Sequence, residues 1–418
     1  MPDANPPDQE SLHFMTRLSN GSVSPPRADS RALRYDLLLP HKEKFSATNA
    51  GAVASVVTDL VRASQTYDRF RVIGTPVDAP FDDIEFCPLP VRRRWLHGGN
   101  IGFAEAYLNM LRGQAAPDLV EVHGRCQVAA HIKAKRPDLR VALYLHNDPR
   151  DMKGGNTVAA RATLLAKLSA IICVSDYIKD CFLDGLEKHG ALASKVHTAR
   201  NGVDRTLAKP TKKTPTILFV GRMVAEKGVL ELAEAASRIL PQHPEWRICL
   251  VGAKGFEVTG KSSYEQRVAT ALEPLGPQAQ MTGFLPLADV RTLQEQAAII
   301  ACPSLWQEPL GKTGLEALAA GSALLTTRRG GIPEIAEGRA HIVDEPDADT
   351  EIAEGRAHIV DEPDADTLAG SLRQLITDDT YRHQLQQTAW NDYPFTATKM
   401  AADAATARMT ALSDVSDS

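Results

Sequence analysis

Apolar runs along the chain are short, continuous and evenly spaced. YDLLLP (35–40), FRVIG (70–74), LVEVH (119–123), RVALYLH (140–146) and AIICVS (170–175) punctuate the first half. TILFVG (216–221), RICLVG (247–252), AQMTG (279–283), AIIACP (298–303) and ALLTT (323–327) punctuate the second. Continuous rather than alternating runs suit strands buried on both faces of a parallel sheet. Helical periods lie between them. Over 229–240, Val229, Leu232, Ala233, Ala236, Ile239 and Leu240 recur at the spacing of one helix face. This alternation predicts doubly wound α/β domains. The stretch RTLAKPTKKTP (205–215) is polar, carries two prolines and predicts a boundary between two halves of similar pattern. The expected organisation is a disordered leader over 1–33, rich in Pro, Ser, Asn and Asp, and a first domain over 34–205. A second domain covers 206–400, and a helix end with a frayed tail covers 401–418. Ligands of open parallel sheets bind beyond the carboxyl ends of the strands, so two such domains would share a cleft.

Composition narrows the function classes. With 43% hydrophobic and 24% charged residues among 418, the chain has ample apolar content for real cores, and it holds no apolar run long enough to span a bilayer. A net charge of -5 speaks against a dedicated nucleic-acid binder. Six scattered cysteines form no C-x-x-C pair, and most stand in apolar runs, as buried reduced thiols do. No basic-then-apolar signal segment opens the sequence, so the expected compartment is cytoplasmic.

Four segments carry candidate chemistry. In QEPLGKTGLEALAAG (307–321), Glu308 and Glu316 stand eight residues apart around Pro309, Gly311 and Gly314, where a loop gives way to a helix. Free backbone N–H groups at such a helix start seat an anion. Two carboxylates beside it suit sugar hydroxyls rather than phosphate, although spacing alone equally fits a capped helix with two solvated glutamates. In FVGRMVAEKG (219–228), a strand ends at Gly221, and Arg222 and Lys227 follow before the next helix. Cations at a helix start oppose its dipole unless an anion lies near, and such a pair can clamp a diphosphate. In ATNAGAVASVVTDL (47–60), small residues ending at Gly51 permit close approach of a ligand, but the G-x-G-x-x-G dinucleotide fingerprint is absent. In YLHNDP (144–149), His146 ends a strand, where it either meets a substrate or is satisfied by backbone.

Together and in this order these segments resemble the retaining glycosyltransferases of family four, which have the GT-B fold: α/β, with two Rossmann-like domains facing a cleft. VGRMVAEKG, the E-x7-E motif of EPLGKTGLE, and RGGIPE (329–334) carry the resemblance, with support from CVSDYIKDCFL (173–183) and RNGVD (200–204). The resemblance covers residues from about 34 to 400. It implies that Arg222 and Lys227 hold the donor diphosphate, that Glu308 stands at the donor sugar and that Glu316 binds the ribose. It further implies that Gly51 approaches the phosphates, that His146 lies near the reacting centre and that Gly283 and Phe284 border the nucleobase. Gly221, Leu310 and Gly311 complete the expected donor site. Leu310 replaces the family's usual aromatic, Lys312-Thr313 a more apolar pair, and Ala50-Gly51 the common double glycine. The implied reaction is hexosyl transfer from a UDP- or GDP-sugar with retention, using neither metal nor cofactor, to a glycan or lipid-linked acceptor in polysaccharide synthesis. VRRRWLHGGN (91–100) joins Arg92, Arg93 and Arg94 to Trp95; it is either a contact for an anionic acceptor or the inner membrane face, or a solvated loop. Two other readings stand beside this one: a soluble disaccharide-forming transferase or phosphorylase of the same fold, and an inactive variant that serves as a binding scaffold.

The reason for that last reading is a tandem duplication. Residues 334–350 and 351–367 both read EIAEGRAHIVDEPDADT. Each copy reads as a strand, AHIVDE, and a helix start capped by Asp347 or Asp364. The left flank, RGGIP, needs the first copy; the right flank, LAGSLRQLI, needs the second. One strand slot can then be filled by 340–343 or by 357–360. One copy loops out, or two registers interconvert, or 341–345, a helix over 347–354 and 357–361 add a βαβ unit whose crossover is close to the minimum of about a dozen residues. A looped-out or poorly packed copy is the favoured expectation. Deleting 351–367 should therefore raise melting temperature or donor affinity, checked by thermal unfolding and donor titration. Unchanged values would refute the cost assigned to the insert.

Overall fold

The computed structural model describes residues 31–47, 51–64, 68–91, 94–254, 262–343 and 364–413, with side chains omitted at 94–97. Arg92, Arg93 and the side chains of Arg94 and Trp95 fall outside the described residues, as do 344–363 of the duplication and most of the expected leader.

The first lobe is a seven-stranded sheet. Its strands are β1 (Arg34–Leu38), β2 (Arg69–Gly74), β3 (Phe86–Pro88), β4 (Leu119–His123), β5 (Val141–Leu145), β6 (Ala170–Cys173) and β7 (Val196–Thr198), in the order 3-2-1-4-5-6-7. The second lobe holds β8 (Thr214–Val220), β9 (Arg247–Val251), β10 (Ala279–Gly283), β11 (Ala297–Cys302), β12 (Ala323–Thr327) and β13 (His341–Val343), in the order 10-9-8-11-12-13. Every pairing in both sheets is parallel. Strands β4, β5, β6 and β12 are buried at every position, which is why their sequences are mostly apolar, with Glu121, His123, Thr326 and Thr327 as buried polar exceptions. The edge strands β3 and β7 were not anticipated; three residues each give too short a run to stand out.

Helices cover both faces. In the first lobe these are α1 (Ala52–Ala63), α2 (Arg94–Met110, broken at Gly98), α3 (Cys126–Lys135), α4 (Val158–Lys167) and α5 (Asp176–Leu183). In the second they are α6 (Val229–Ile239), α7 (Ser263–Leu272), α8 (Leu287–Gln296), α9 (Lys312–Ala319), α10 (Pro333–Ala336), α11 (Ala365–Thr377) and α12 (Asp379–Asn391). The duplication is shared between its flanks. Strand β13 comes from the first copy, and Asp364 of the second copy caps α11 by accepting from the N–H groups of Asp366 and Thr367.

The last helix, α13 (Ala397–Ser413), departs from the expected division at residue 400. It packs on α1 and on β4, β5 and β6, so the chain returns to the first lobe before it ends. Ala397, Met400, Ala401, Ala404 and Ala407 enter the first core. Small alanines let the helix lie close to the sheet, and that packing carries no periodic bulky signature in the sequence. Its anchor is Arg408. This buried guanidinium gives Nε to Glu121 Oε2 at 2.8 Å and Nη2 to Oε1 at 2.9 Å, and lies over the rings of Tyr35 and Phe70. Both side chains are 2% exposed or less. The return path runs along the linker: Asp204 accepts from the Ala397 N–H at 2.9 Å, and a Cβ at Gly202 would strike the Thr396 carbonyl at 2.1 Å.

Breaking a buried ion pair from one side strands the other charge and costs about 3–5 kcal/mol. Arg408→Ala should lower the urea unfolding free energy at pH 7 by about that amount. Substituting both residues, as Arg408→Met with Glu121→Leu, should recover much of it.

Candidate functional site

Each sheet reverses its winding order beside its first strand, between β1 and β4 and between β8 and β11. The crevice outside the carboxyl ends at such a switch point is where open parallel sheets bind ligands. Gly51 follows β1, Arg222 and Lys227 follow β8, and Glu308 and Gly311 follow β11; His146 and Gly283 stand at the ends of β5 and β10.

The two carboxyl edges face each other. Glu334, opening α10 after β12, reaches across to the start of α5. Its carboxylate accepts from the N–H groups of Asp176 at 3.0 Å and Tyr177 at 2.7 Å, and from Arg200 Nε at 2.8 Å. Arg200 also pairs with Asp176. A carboxylate at a helix N-terminus is favoured by the exposed N–H groups and the helix dipole. A second bridge joins Lys312, the first residue of α9, to Ser55 Oγ at 2.5 Å and Asp59 Oδ2 at 3.1 Å on α1. Thus CVSDYIKDCFL, RNGVD and RGGIPE meet at one inter-lobe clasp.

Within the second lobe, Lys227 Nζ pairs with Glu308 Oε1, which also accepts from Ser304 Oγ at 2.5 Å. Lys227 lies over the Trp306 ring, 5.6 Å from its centre. The loops that carry this pair are locked by backbone contacts that leave no room for a side chain. Gly228, at φ +65°, would drive a Cβ to 2.0 Å from the Pro303 carbonyl. Gly330, at φ +61°, would drive one to 2.1 Å from the Glu308 carbonyl, and that same carbonyl accepts from the Gly331 N–H at 2.7 Å. The R-G-G segment therefore supports Glu308 from behind. Arg222 is exposed, and its guanidinium makes no hydrogen bond or ion pair among the described residues, so it is available to an incoming anion.

The remaining residues are arranged as follows. Gly221, Gly252 and Gly283 are linked in a row at the strand ends, Gly221 N to Val251 O at 3.0 Å and Gly252 N to Gly283 O at 2.9 Å. Phe284, next in the chain, is 53% exposed. Gly311 caps α9 at φ +86° with no side-chain cap. Glu316 lies one turn further and accepts from Gln294 at 2.9 Å. It lines an inter-lobe cavity of about 270 Å³ together with Ser55, Asp59, Lys312, Gln294 and Arg291. Leu310 differs from its expected place among the donor contacts. Its side chain is 1% exposed in a core with Leu315, Ile332 and Ile335, so at this position the loop can offer only backbone. Gly51 differs as well, because the start of α1 beside it is occupied. Glu43 Oε1 accepts from the Ala54 N–H at 3.0 Å and lies where a Cβ at Gly51 would be.

Family profiles account for this arrangement. One described as "Glycosyl transferases group 1" matches residues 204–392, and one described as "Glycosyltransferase Family 4" matches 53–207. The chain belongs to glycosyltransferase family four. It is 30% identical over 272 residues to the alpha-maltose-1-phosphate synthase of Mycolicibacterium smegmatis, a stretch covering 57% of this chain and 67% of the relative. It is 28% identical over 169 residues to the putative colanic acid biosynthesis glycosyltransferase WcaL of Escherichia coli, covering 38% and 40%. The structure of Anabaena HepE in complex with UDP and glucose has the same fold, with a TM-score of 0.68 at 17% identity over 90% of this chain and 99% of that one. The protein is thus a hexosyltransferase with the GT-B fold.

The motifs did not point to the transferase's clasp residue Glu334 as a cross-lobe contact, nor to Glu121, His123 and Arg408. A signal existed for two of them: LVEVH places a glutamate and a histidine inside an otherwise apolar strand. On the first-lobe wall His146 is 8% exposed and stacks with Tyr144 and His123. Burial, and then the neighbouring His123, push its imidazole well below the ordinary range, with Arg125 adding to the effect and Glu121 opposing it. A depressed histidine stays neutral in the folded state while the unfolded chain binds the proton. Its contribution is therefore complete above the ordinary value of about 6.5 and is lost progressively as pH falls below it. Unfolding free energy should fall between about pH 6.5 and 5, and His146→Asn should flatten that slope in urea titrations.

Proposed function

We propose that the protein transfers a hexose, with retention at the anomeric carbon and without a metal ion, from a UDP- or GDP-linked donor to a lipid-linked glycan acceptor during synthesis of a bacterial-type surface polysaccharide. The observation that carries this reading is the Lys227–Glu308 pair at a switch-point crevice, with an unengaged Arg222 two strand-loop residues past β8. As the bond between sugar and diphosphate breaks, negative charge grows on the leaving group. Arg222 meets it with a fork of donors and Lys227 with a point charge, and fixed charges of this kind need no reorganisation at the moment of reaction. Glu308, held by Ser304 and backed by Gly330-Gly331, faces the sugar. Glu316 takes the ribose hydroxyls, and Gly283 with Phe284 borders the base. His146 approaches the reacting centre from the opposite lobe. The clasp at Glu334 keeps the lobes close, which limits competition from water.

HepE with UDP and glucose supports the choice of a nucleoside diphosphate donor, and WcaL supports a polysaccharide product. Among the described residues no helix is long and apolar enough to cross a membrane. A lipid-linked acceptor would accordingly be met from the cytoplasmic face, with Arg92, Arg93, Arg94 and Trp95 as the contact. A second reading, a small soluble acceptor such as a sugar phosphate, is favoured by the alpha-maltose-1-phosphate synthase relative. The paired Lys227 and Glu308 speak for an active enzyme rather than a scaffold.

A UDP- or GDP-sugar should raise the melting temperature, since a ligand at one hundred times its Kd adds about 2.7 kcal/mol. Arg222→Ala or Lys227→Ala should reduce transfer at least ~100-fold, about 2.7 kcal/mol of transition-state stabilisation, in a folded protein with a near-native melting curve. Near-normal turnover in either variant would sink the assignment.

A further inference from the structure

Glu316 lies one turn into α9, and a side chain of the neighbouring helix α8 holds it. The buried residues of α8 are Val290 and Gln294, and Gln294 is 3% exposed. Its Nε2 donates to Glu316 Oε2 at 2.9 Å. Both side chains line the inter-lobe cavity, together with Arg291 of α8 and with Ser55 and Asp59 of α1. The other carboxylate oxygen, Oε1, has no hydrogen-bond or ion-pair partner among the described residues. We infer that Gln294 is a positioning residue for the nucleotide: it fixes one oxygen of Glu316 and leaves Oε1 as the acceptor for the ribose hydroxyls of the donor.

Burying an amide is unfavourable unless it is hydrogen-bonded, and an apolar residue would suit the face that Val290 begins. The bond to Glu316 offsets that cost. The amide has one orientation only, because a carboxylate accepts and cannot donate, so Nε2 and not the amide oxygen faces it. The backbone that carries Gln294 is itself fixed. Its carbonyl accepts from Ser322 Oγ at 3.0 Å. Lys213 Nζ donates to the carbonyls of Glu295 at 2.8 Å and Ala320 at 2.7 Å, which ties the end of α8 to the end of α9. The spacing of the two helices is thus set by other bonds, and what depends on Gln294 is the direction of the Glu316 side chain. Lys312 stands one turn before Glu316, a spacing at which lysine and glutamate pair on a helix. Here it is engaged across the lobes by Ser55 Oγ at 2.5 Å and Asp59 Oδ2 at 3.1 Å. Glu316 is therefore held by a neutral donor. A cation there would compete with the ribose for the same lone pairs, whereas one amide bond leaves the carboxylate charge to strengthen its bonds to hydroxyls.

This inference rests on the proposed contact between Glu316 and the ribose, and its test separates the two. The full chain is titrated calorimetrically with UDP and with GDP, and the nucleotide that binds is compared with its 2′,3′-dideoxy counterpart. The wild type should prefer the ribonucleotide about 10- to 100-fold, the range for hydrogen bonds to a charged group. Glu316→Ala should bring that preference close to one. Gln294→Leu should weaken ribonucleotide binding about tenfold and leave dideoxynucleotide binding within about twofold, since only the hydroxyls read the direction of Glu316. Gln294→Met, closer to glutamine in shape, should do the same. Val290→Ala, on the same buried face but without a bond to Glu316, should lower the melting temperature and leave the preference unchanged. A preference that survives both glutamine variants while Glu316→Ala abolishes it would overturn this inference alone. Equal losses for the two nucleotides in the glutamine variants, or the same change of preference in Val290→Ala, would overturn it as well. If Glu316→Ala leaves the preference intact, or if neither nucleotide binds, the ribose contact itself fails and this inference falls with it.

Discussion

The structure depends on one buried charge pair. Arg408 and Glu121 have no water to fall back on, so the last helix is held to β4 by an interaction that is expensive to break from either side. That attachment dictates the path of the chain. Because α13 must return to the first lobe, two stretches cross between the lobes, and they run against each other at Gly202 and Thr396. Close to that crossing the lobes are also joined by Glu334, which accepts from Arg200, and by Lys312, which shares a cavity with Val203, Asp204 and Ala397. Rigid parallel sheets supply the walls, and their switch points supply the floor of the crevice. The candidate-site side chains stand on the loops that follow particular strands.

That logic explains what was readable in advance. Ten apolar runs correspond to ten of the thirteen described strands, because strands of a parallel sheet covered on both faces are mostly apolar. Arg222, Lys227 and Glu308 stand out as candidates in the sequence because cations at a helix start and carboxylates in a glycine loop conflict with local stability unless a ligand repays them. The hidden parts follow from long-range geometry. Edge strands of three residues carry too little pattern. The alanine face of α13 reads as an ordinary helix until the sheet beneath it is known. Leu310 was placed by its position in a motif, whereas its side chain follows its own hydrophobicity into the core with Ile332 and Ile335. Glu334 was noticed as the end of RGGIPE, but its partners lie about 160 positions earlier, and no local rule connects them.

The same residue bears on the duplication. Glu334 opens the first copy, so the clasp is made from the first copy, ahead of the second. The helix cap at Asp364 belongs to the second copy. The flanks thus draw on different copies for different reasons: the left needs the carboxylate that reaches α5, and the right needs the cap immediately before its own helix. Strand β13 taken from the first copy keeps the short turn from α10 into the sheet and lets His341 bond Tyr381 of α12. With the first copy in this place, the clasp and the Gly330-Gly331 support of Glu308 are both formed.

The electrostatics of the cleft constrain how a donor enters. Lys227 is already paired with Glu308, and the first turn of α1 is already met by Glu43. A diphosphate approaching these places does not fill a bare positive hole. It competes with two carboxylates that already lie there. Arg222 is the group free to make first contact, since its fork is exposed and unengaged among the described residues. Once the diphosphate is held, Lys227 can be shared between phosphate and Glu308 with little movement, whereas Glu43 and the incoming anion would repel each other at the start of α1. Either Glu43 withdraws, freeing the N–H groups beside Gly51, or the donor binds without them and relies on the second lobe alone. The first course ties donor binding to a change in the 40–51 loop; the second leaves that loop to the acceptor.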